Sequence, residues 1–393
     1  MLYSKTMITV PGLSPSGRDL LRYFQARRRP MVGLLERLVR LESPTSDAAA
    51  VDRCTAALAD SLQQAEVKLR RVPVRGKGVL LIAEKRAGRK ASGLKPLLLL
   101  AHTDTVWPVG TLAARPPAIK GDRLYGPGAL DMKAGLVQAV FALRALDSLG
   151  LNPRRSARLF VNSAEETGNP EAARLIRALS ASSEAVLCLE PCLPGGALKT
   201  RRKGRLVVLL ETRGKPAHAG SPGSGINAIE EMSRQLLGLR RLRRAGTTVN
   251  IGRVEGGSEA NVVADRAAAL LDVRFWEAGD RARLLKSLAD LRPFLLGARV
   301  SFRILGEHPP LERTEASRRL FNTARRIASG LGVRLRAGKT GGGSDASLAS
   351  RLGLPTLDGL GPDGAGIHAE NEHVLVSSLI ERTALLTLLL SEL

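Results

Sequence analysis

The sequence is poor in aromatic residues and in cysteine. The first scarcity limits what the hydrophobic core can be made of, and the second argues against a protein held together by disulfide bonds. Phe, Trp and Tyr make up 3% of the 393 residues, so a hydrophobic core must be built mainly from Leu, Val, Ala and Ile. Three cysteines in a chain of this length argue against a disulfide framework and are typical of a reducing compartment. The sequence also lacks an apolar run near the ~20 residues that span a bilayer, and it lacks a signal-peptide pattern. We therefore predict a cytoplasmic protein that makes no membrane contact.

Acidic residues are few relative to basic ones. The chain has 60 Lys and Arg against 37 Asp and Glu, which gives a formal net charge of +23. Such an excess can favour nucleic acids, anionic membranes or acidic substrates. The basic residues are spread along the chain, aromatic residues do not alternate with their clusters, and no nucleic-acid-binding motif is present. The charge therefore predicts solvated surfaces that bind polyanions non-specifically at low salt, and no specific nucleic-acid partner.

Side chains with metal-ligand chemistry follow three short apolar runs of the kind that form buried strands. The runs end at His102, at the adjacent Glu165 and Glu166, and at Glu190. Parallel strands of an α/β sheet bring their carboxyl ends to one edge, so these side chains should lie close together. Imidazole and carboxylate groups bind divalent metals, and one of two adjacent carboxylates can serve as a general base. The pattern therefore predicts a metal site with a general base at this edge.

Two further carboxylates extend this set. Asp104 lies two residues after His102, where it could hold the second ring nitrogen. Asp131 lies between a Pro- and Gly-rich loop over residues 107–128, long enough to shape a site, and a predicted helix over 133–147. An acid at a helix start is also a common cap, so Asp131 alone does not indicate a metal ligand.

The pattern of elements changes over residues 203–305. There the periodicities predict the order β-α-β-β-α-β, which is that of a ferredoxin-like unit of ~100 residues. We therefore predict an α/β protein with an N-terminal arm over residues 1–30 and a catalytic domain in two parts, 31–202 and 306–393. The inserted unit over 203–305 separates these parts.

The chain resembles the dinuclear zinc amidohydrolases of the glutamate carboxypeptidase type, a family that includes aminoacylases, acetylornithine deacetylase and succinyl-diaminopimelate desuccinylase. The resemblance runs from about residue 31 to the C-terminus. Its motifs are His102-Thr103-Asp104, Gly126-Pro127-Gly128 with Asp131-Met132-Lys133, Glu165-Glu166-Thr167-Gly168, Glu190-Pro191, Pro216-Ala217-His218-Ala219-Gly220 and Gly366-Ile367-His368. The resemblance implies a zinc-peptidase-like catalytic domain with a central mixed sheet flanked by helices. It also implies that the inserted ferredoxin-like domain forms a homodimer.

The resemblance also implies the metal ligands. One zinc ion would be held by His102, Glu190 and Asp131, and the second by Glu166, His368 and the same Asp131, which would bridge the two. Nitrogen and oxygen ligands suit Zn²⁺, and Co²⁺ or Mn²⁺ could occupy the same sites. A cis peptide bond after the bridging aspartate is a further expectation.

Catalytic roles follow from the same resemblance. Glu165 would take a proton from a metal-activated water and deliver it to the leaving amine. Asp104 would orient His102. His218 would reach the active site of the partner subunit and support the oxyanion.

Substrate binding is implied by a second set of residues in the resemblance. In glutamate-releasing carboxypeptidases an arginine and an asparagine of the inserted domain hold the free carboxylate of the substrate, and Arg274 and Asn261 match these positions. A guanidinium group suits bidentate binding of a carboxylate. Gly342 and Gly343, in a glycine-rich loop, would supply backbone donors to the same carboxylate.

Three functions stay open at this point. The leading hypothesis is a zinc-dependent hydrolase that cleaves an amide bond to release a C-terminal amino acid, as a glutamate carboxypeptidase does. Its substrate would be a small N-acyl amino acid or a short peptide with a free carboxylate. The second hypothesis is an N-acyl-amino-acid deacylase or deacetylase with the same dinuclear site. The third is a non-catalytic binding protein on this scaffold, against which the complete set of ligands and the general base argue.

Overall fold

The structure is a computed structural model that describes residues 16–88, 93–243 and 246–393. The described residues form two compact units. The first unit runs to Thr200 and continues with Arg313–Gly338 and Ser344–Leu393. The second unit consists of Arg201–Glu312 and Lys339–Gly343.

Helices and strands alternate along much of the described chain. The helices are α1 Gly17–Gln25, α2 Arg28–Val39, α3 Ala48–Gln63, α4 Thr111–Ala114, α5 Ala134–Ser148, α6 Pro170–Ala181, α7 Ala228–Gly238, α8 Ala278–Ala289, α9 Glu315–Gly330, α10 Ala346–Ser350 and α11 Val376–Glu392. The strands are β1 Lys68–Val74, β2 Gly78–Lys85, β3 Leu97–His102, β4 Ala118–Lys120, β5 Arg123–Tyr125, β6 Ala157–Asn162, β7 Ala185–Cys188, β8 Leu198–Arg202, β9 Gly204–Arg213, β10 Thr248–Gly256, β11 Arg266–Phe275, β12 Arg299–His308, β13 Ala337–Thr340, β14 Thr356–Leu357, β15 Gly364–Ala365 and β16 His373–Leu375. Among the described residues, no helix combines the length and apolar character needed to span a bilayer.

The first unit is built on a mixed sheet with strand order β1-β2-β6-β3-β7-β14. Strand β3 lies parallel to both of its neighbours, β6 and β7, whereas β2 runs antiparallel to β6. Helices cover both faces of this sheet, which confirms the predicted α/β architecture with a central mixed sheet flanked by helices.

Strand β3 shows why four consecutive leucines form a strand here. Leu97 and Leu99 point into one hydrophobic core, and Leu98 and Leu100 point into a second core on the opposite face of the sheet. Side chains alternate between the faces of a strand, so a strand covered on both faces is apolar throughout. The predicted strand that ends at His102 is confirmed.

The second unit contains a four-stranded antiparallel sheet with the order β10-β11-β9-β12. Helices α7 and α8 complete the sequence β9-α7-β10-β11-α8-β12, which is the topology of a ferredoxin-like unit. Apolar residues of the two helices pack on one face of the sheet. As a compact body this unit extends over Arg201–Glu312 and adds Lys339–Gly343, whereas the predicted insertion covers 203–305.

The N-terminal segment differs from the expectation of an irregular arm over residues 1–30. Residues 1–15 lie outside the described residues, but the chain is helical from Gly17. The side chain of Ser16 accepts a hydrogen bond from the backbone N–H of Asp19, which caps α1. Leu20 and Phe24, four residues apart, are fully buried in the main core. A cap followed by one buried face is therefore sufficient to form this helix.

Replacing Leu99 with Ala should destabilise the first unit by about 2–5 kcal/mol, because the change leaves a cavity in the centre of the sheet. Leu99 is 0% exposed and lies between Leu159 and Leu187 on the neighbouring strands. Urea denaturation measures the change. Leu296→Ala is the matched control, because Leu296 is 98% exposed and its loss should change stability by less than about 0.5 kcal/mol. Equal effects for the two variants would contradict this view of the core.

Candidate metal centre

The carboxyl ends of β3, β6 and β7 meet at one edge of the sheet, and each delivers a candidate ligand. His102 is the last residue of β3, Glu166 follows β6, and Glu190 follows β7. The other two candidates come from loops. Asp131 lies in a kinked turn, Ala129–Lys133, before α5, and His368 follows β15. The structure therefore brings together the five residues that the family resemblance implies as ligands.

The first group consists of His102, Asp131 and Glu190, all buried. The Nε2 atom of His102 lies 3.4 Å from Oδ1 of Asp131 and 3.5 Å from Oε1 of Glu190. One nitrogen and two carboxylate oxygens thus converge on one point.

The second group consists of Asp131, Glu166 and His368. The Nε2 atom of His368 lies 3.5 Å from Oδ2 of Asp131 and 3.2 Å from Oε1 of Glu166. The two oxygens of Asp131 therefore face different histidines, Oδ1 toward His102 and Oδ2 toward His368. This orientation would allow the carboxylate to lie between two cations. The peptide bond between Asp131 and Met132 is cis, as the resemblance implies.

The geometry and the charge of these groups fit a pair of divalent cations. Ligands about 2.0–2.1 Å from a tetrahedral zinc ion lie about 3.3–3.4 Å from each other, close to the spacings seen here. Oδ1 of Asp131 is buried without a hydrogen-bond partner in the described residues, which is costly unless a cation lies beside it. Hydrogen bonds to Asp131 and Glu166 raise the pKa of His368 to about 10, so the cluster attracts positive charge.

Asp104 connects the first group to the strand end of β6. Its backbone oxygen lies 2.9 Å from Nδ1 of His102, and its Oδ1 lies 3.4 Å from the same nitrogen. Because Nδ1 faces oxygen acceptors, it carries the proton of the neutral ring, and Nε2 keeps its lone pair toward Asp131 and Glu190.

The carboxylate of Asp104 also accepts three hydrogen bonds, from the hydroxyl of Thr45 at 2.6 Å and from the backbone N–H groups of Glu165 at 2.9 Å and Glu166 at 3.1 Å. Burial opposes the ionised form of Asp104, but the bonds from His102, Thr45 and Glu165 outweigh it and lower its pKa. A buried, ionised Asp104 therefore fixes the backbone of both glutamates.

Glu165 belongs to neither group, although it is adjacent to Glu166. Burial raises the pKa of its carboxyl group well above the usual range; His102 opposes the rise, and the neighbouring carboxylates of Asp345 and Glu190 add to it. A carboxylate with a raised pKa is a stronger proton acceptor, which is what a general base requires.

Two carboxylates of this region, the half-buried Asp345 and the buried Glu372, were not assigned a role from the sequence. Asp345 accepts a hydrogen bond from the side chain of Asn162 at 2.8 Å, and burial raises its pKa to about 6. Glu372 accepts hydrogen bonds from the turn that carries Asp131. Neither lies at a predicted strand end, and no sequence signal marks them as parts of the site.

The remaining predicted site residues lie in the second unit. His218 and Asn261 occupy neighbouring loops: His218 pairs with Val262, and the N–H of Ala219 donates to the backbone oxygen of Asn261 at 2.9 Å. Both side chains are exposed, and Nδ1 of His218 accepts a hydrogen bond from the N–H of Gly220. The structure thus brings these two residues together within one unit.

The side chain of Arg274 is held in place by two other residues of the second unit. Its Nε atom lies 2.9 Å from Oδ1 of Asp272, and its Nη1 atom donates to the backbone oxygen of Gly341 at 2.7 Å. Arg202 donates to the backbone oxygen of Gly343 at 2.6 Å and lies 3.4 Å from that of Gly342. The glycine loop and Arg274 are therefore neighbours, with two guanidinium groups fixing the loop through its carbonyls.

A cluster of cations surrounds Trp276 in the same unit. Arg201, Lys203 and Lys339 lie 5.3, 5.4 and 5.5 Å from the centre of its ring. Burial lowers the pKa of Lys203, and the positive charges of Arg274 and Lys339 lower it further. Arg274 therefore lies among positively charged side chains, and Asp272 balances part of that charge.

An α/β sheet whose parallel strand ends carry two metal-binding groups beside a further glutamate is typical of metal-dependent hydrolases. A model of the family described as Peptidase family M20/M25/M40 matches residues 98–392. The chain belongs to this family, and it is a hydrolase of the metallopeptidase type.

Individual relatives agree with this assignment. The chain is 30% identical to carboxypeptidase G2 of Pseudomonas sp. (strain RS-16) over 366 residues, which cover 90% of this chain and 86% of the relative. It shares the fold of aminopeptidase PepT from Bacillus cereus ATCC 10987, with a TM-score of 0.77, 23% identity and coverage of 93% of this chain and 98% of that one. It also shares the fold of the YXEP protein of Bacillus subtilis, described as a dinuclear metal binding peptidase from the M20 family. That match has a TM-score of 0.69, 17% identity and coverage of 93% and 98%.

Proposed function

We propose that this chain is a dinuclear zinc hydrolase that cleaves an amide bond to release a C-terminal amino acid, in the manner of a glutamate carboxypeptidase. The observation that carries the proposal is the shared Asp131, whose two oxygens face His102 and His368 with Glu165 nearby. When bound, two divalent ions lower the pKa of a water between them and polarise the carbonyl of the substrate. Zn²⁺ suits the nitrogen and oxygen donors, and Co²⁺ or Mn²⁺ could replace it.

In this proposal, metal binding, proton transfer and positioning are assigned to different residues of the chain. His102, Glu190, Glu166 and His368 would hold the ions together with Asp131. Glu165 takes a proton from the attacking water and passes it to the leaving nitrogen, so that the amine departs neutral. Asp104 keeps Glu165 in place through the backbone and keeps His102 in the tautomer that binds metal.

We propose that Arg274 and Asn261, with the backbone of Gly342 and Gly343, bind the free carboxylate of the substrate. The contact between Arg274 and the glycine loop supports a common role. The cations around Trp276 favour an acidic amino acid, such as glutamate, as the residue released. The substrate would be a short peptide or a small N-acyl amino acid.

We further propose a cytoplasmic homodimer in which His218 of one subunit supports the oxyanion in its partner. The exposed side chain of His218 is compatible with action across an interface. The cysteines Cys54 and Cys192 are buried and form no disulfide bond, which fits a reducing compartment.

A substrate panel tests the proposed reaction. Zinc-loaded enzyme is given N-acyl glutamates, dipeptides with C-terminal glutamate, and N-acetyl derivatives of neutral amino acids, and the released amino acid is measured. The proposal predicts the highest kcat/KM for substrates that release an acidic amino acid. Turnover of only the short N-acyl derivatives of neutral amino acids would instead favour the deacylase.

Replacing Arg274 with Met should raise KM about 10–100-fold with a smaller change in kcat, because a charge-assisted hydrogen bond to the substrate is lost. Initial rates over a range of acyl-glutamate concentrations separate the two constants. The control is Arg266→Met on the same strand, where the side chain is exposed. An unchanged KM in the Arg274 variant would remove this residue from the substrate site.

A further inference from the structure

The carboxylate of Glu372 is surrounded by donors. It accepts hydrogen bonds from the backbone N–H groups of Gly128 at 2.9 Å and of Leu130 and Asp131 at 3.0 Å, and from the indole N–H of Trp107 at 2.8 Å. Glu372 is 1% exposed. A buried carboxylate that accepts four hydrogen bonds is firmly held and fixes its donors in turn.

These donors connect the segments that carry three of the proposed ligands. Trp107 follows β3, which ends in His102, and Leu130 precedes Asp131 in the kinked turn. Glu372 itself lies four residues after His368. The backbone oxygen of Glu372 also accepts a hydrogen bond from the N–H of Gly126, so its main chain holds the segment that leads into the turn.

The bond to the N–H of Asp131 is the most direct of these contacts. It fixes the backbone from which the side chain of Asp131 extends toward His102 on one side and His368 on the other. The turn has non-helical backbone angles at Asp131 and Met132, so regular helix hydrogen bonds do not define its shape. Within the turn, the N–H groups of Leu130 and Asp131 both donate to the carboxylate of Glu372.

We propose that Glu372 is the positioning residue that holds Asp131 in its bridging orientation, so that the two metal ions bind as a coupled pair. This inference rests on the proposed function, since it assumes that Asp131 bridges two ions. Glu372 belongs to neither group of candidate ligands. It acts through the turn, in the way that groups hydrogen-bonded to metal ligands tune metal affinity.

Glu372→Gln tests the proposal, because it keeps the size of the side chain and replaces one acceptor oxygen with an NH₂ group. That group cannot accept from the N–H groups it would face, so part of the turn is released. We expect the affinity for Co²⁺ to fall about 10–100-fold in a titration followed by visible absorption. We also expect the magnetic coupling between the two Co²⁺ ions, measured by electron paramagnetic resonance, to weaken.

Glu370→Gln is the matched control, since Glu370 lies in the same segment with an exposed side chain and should leave Co²⁺ affinity and coupling unchanged. Trp107→Phe removes the one side-chain donor to Glu372, which holds the carboxylate less firmly against the turn and should weaken Co²⁺ binding about tenfold. If Glu372→Gln does not fold, the Trp107→Phe variant serves as the test of the role of Glu372. A general loss of stability would lower the melting temperature of the metal-free protein without changing the coupling.

The outcomes separate the two proposals. If the unmodified protein binds fewer than two Co²⁺ ions, the proposed function fails. If it binds two coupled ions and either Glu372→Gln or, where that variant does not fold, Trp107→Phe binds them with the same affinity and coupling, the role of Glu372 is wrong.

Discussion

Replacing Glu165 with Gln is expected to lower kcat about 10²–10⁴-fold while two metal ions stay bound. Glutamine has nearly the same shape but cannot take a proton, so the variant loses the base and keeps the surroundings. Glu165 lies outside both ligand groups, which is why the metal content should not change. Steady-state rates with an acyl-glutamate and metal analysis of the same preparation give the two quantities.

Glu171→Gln is the matched control for this experiment, because Glu171 is on the following helix and pairs with Arg174 away from the ligands. Its kcat should equal that of the unmodified enzyme. A Glu165 variant that retains more than a tenth of the activity would show that another group removes the proton. A variant without metal would show that Glu165 is a ligand instead.

Replacing Asp131 with Ala is expected to have the second large effect, because both ligand groups lose an oxygen at once. Hydrogen-bond partners of metal ligands change affinity about 10–100-fold, so loss of a bridging ligand should exceed 100-fold. Activity should fall with the metal content. Titration with Zn²⁺ against a competing chelator measures the affinity of each site.

Asp60→Ala is the control for the aspartate variant, since Asp60 is exposed on α3. The alternative for Asp131 is a cap at the start of α5, as the sequence alone permits. A cap would cost about 1 kcal/mol of stability and would leave metal affinity unchanged. Two ions bound at normal strength by Asp131→Ala would therefore contradict the bridging role.

The parts of the fold that follow from local pattern were predictable. The apolar run that ends at His102 predicts a buried strand, and the structure has a strand over Leu97–His102. The convergence of three strand ends follows from the geometry of a parallel sheet, without knowledge of any contact. Residues that reach the site from loops, such as Asp131 and His368, were identified only through the family resemblance.

The hydrogen bonds that hold the candidate ligands and Glu165 in place were not predictable from the sequence, because they join residues far apart in the chain. Glu372 accepts hydrogen bonds from the turn that carries Asp131, about 240 residues earlier in the chain. Asp104 accepts hydrogen bonds from the backbone N–H groups of Glu165 and Glu166. Such contacts depend on how loops fold back on the sheet edge. The first helix was missed for a different reason, since Leu20 and Phe24 form a short apolar face within a basic segment.

Anomalous diffraction from crystals grown with zinc tests the central claim most directly. The account predicts two peaks about 3.5–4 Å apart, one beside His102 and Glu190 and the other beside Glu166 and His368, with Asp131 between them. A single peak, or peaks that lie away from Asp131, would contradict a paired metal centre in this protein.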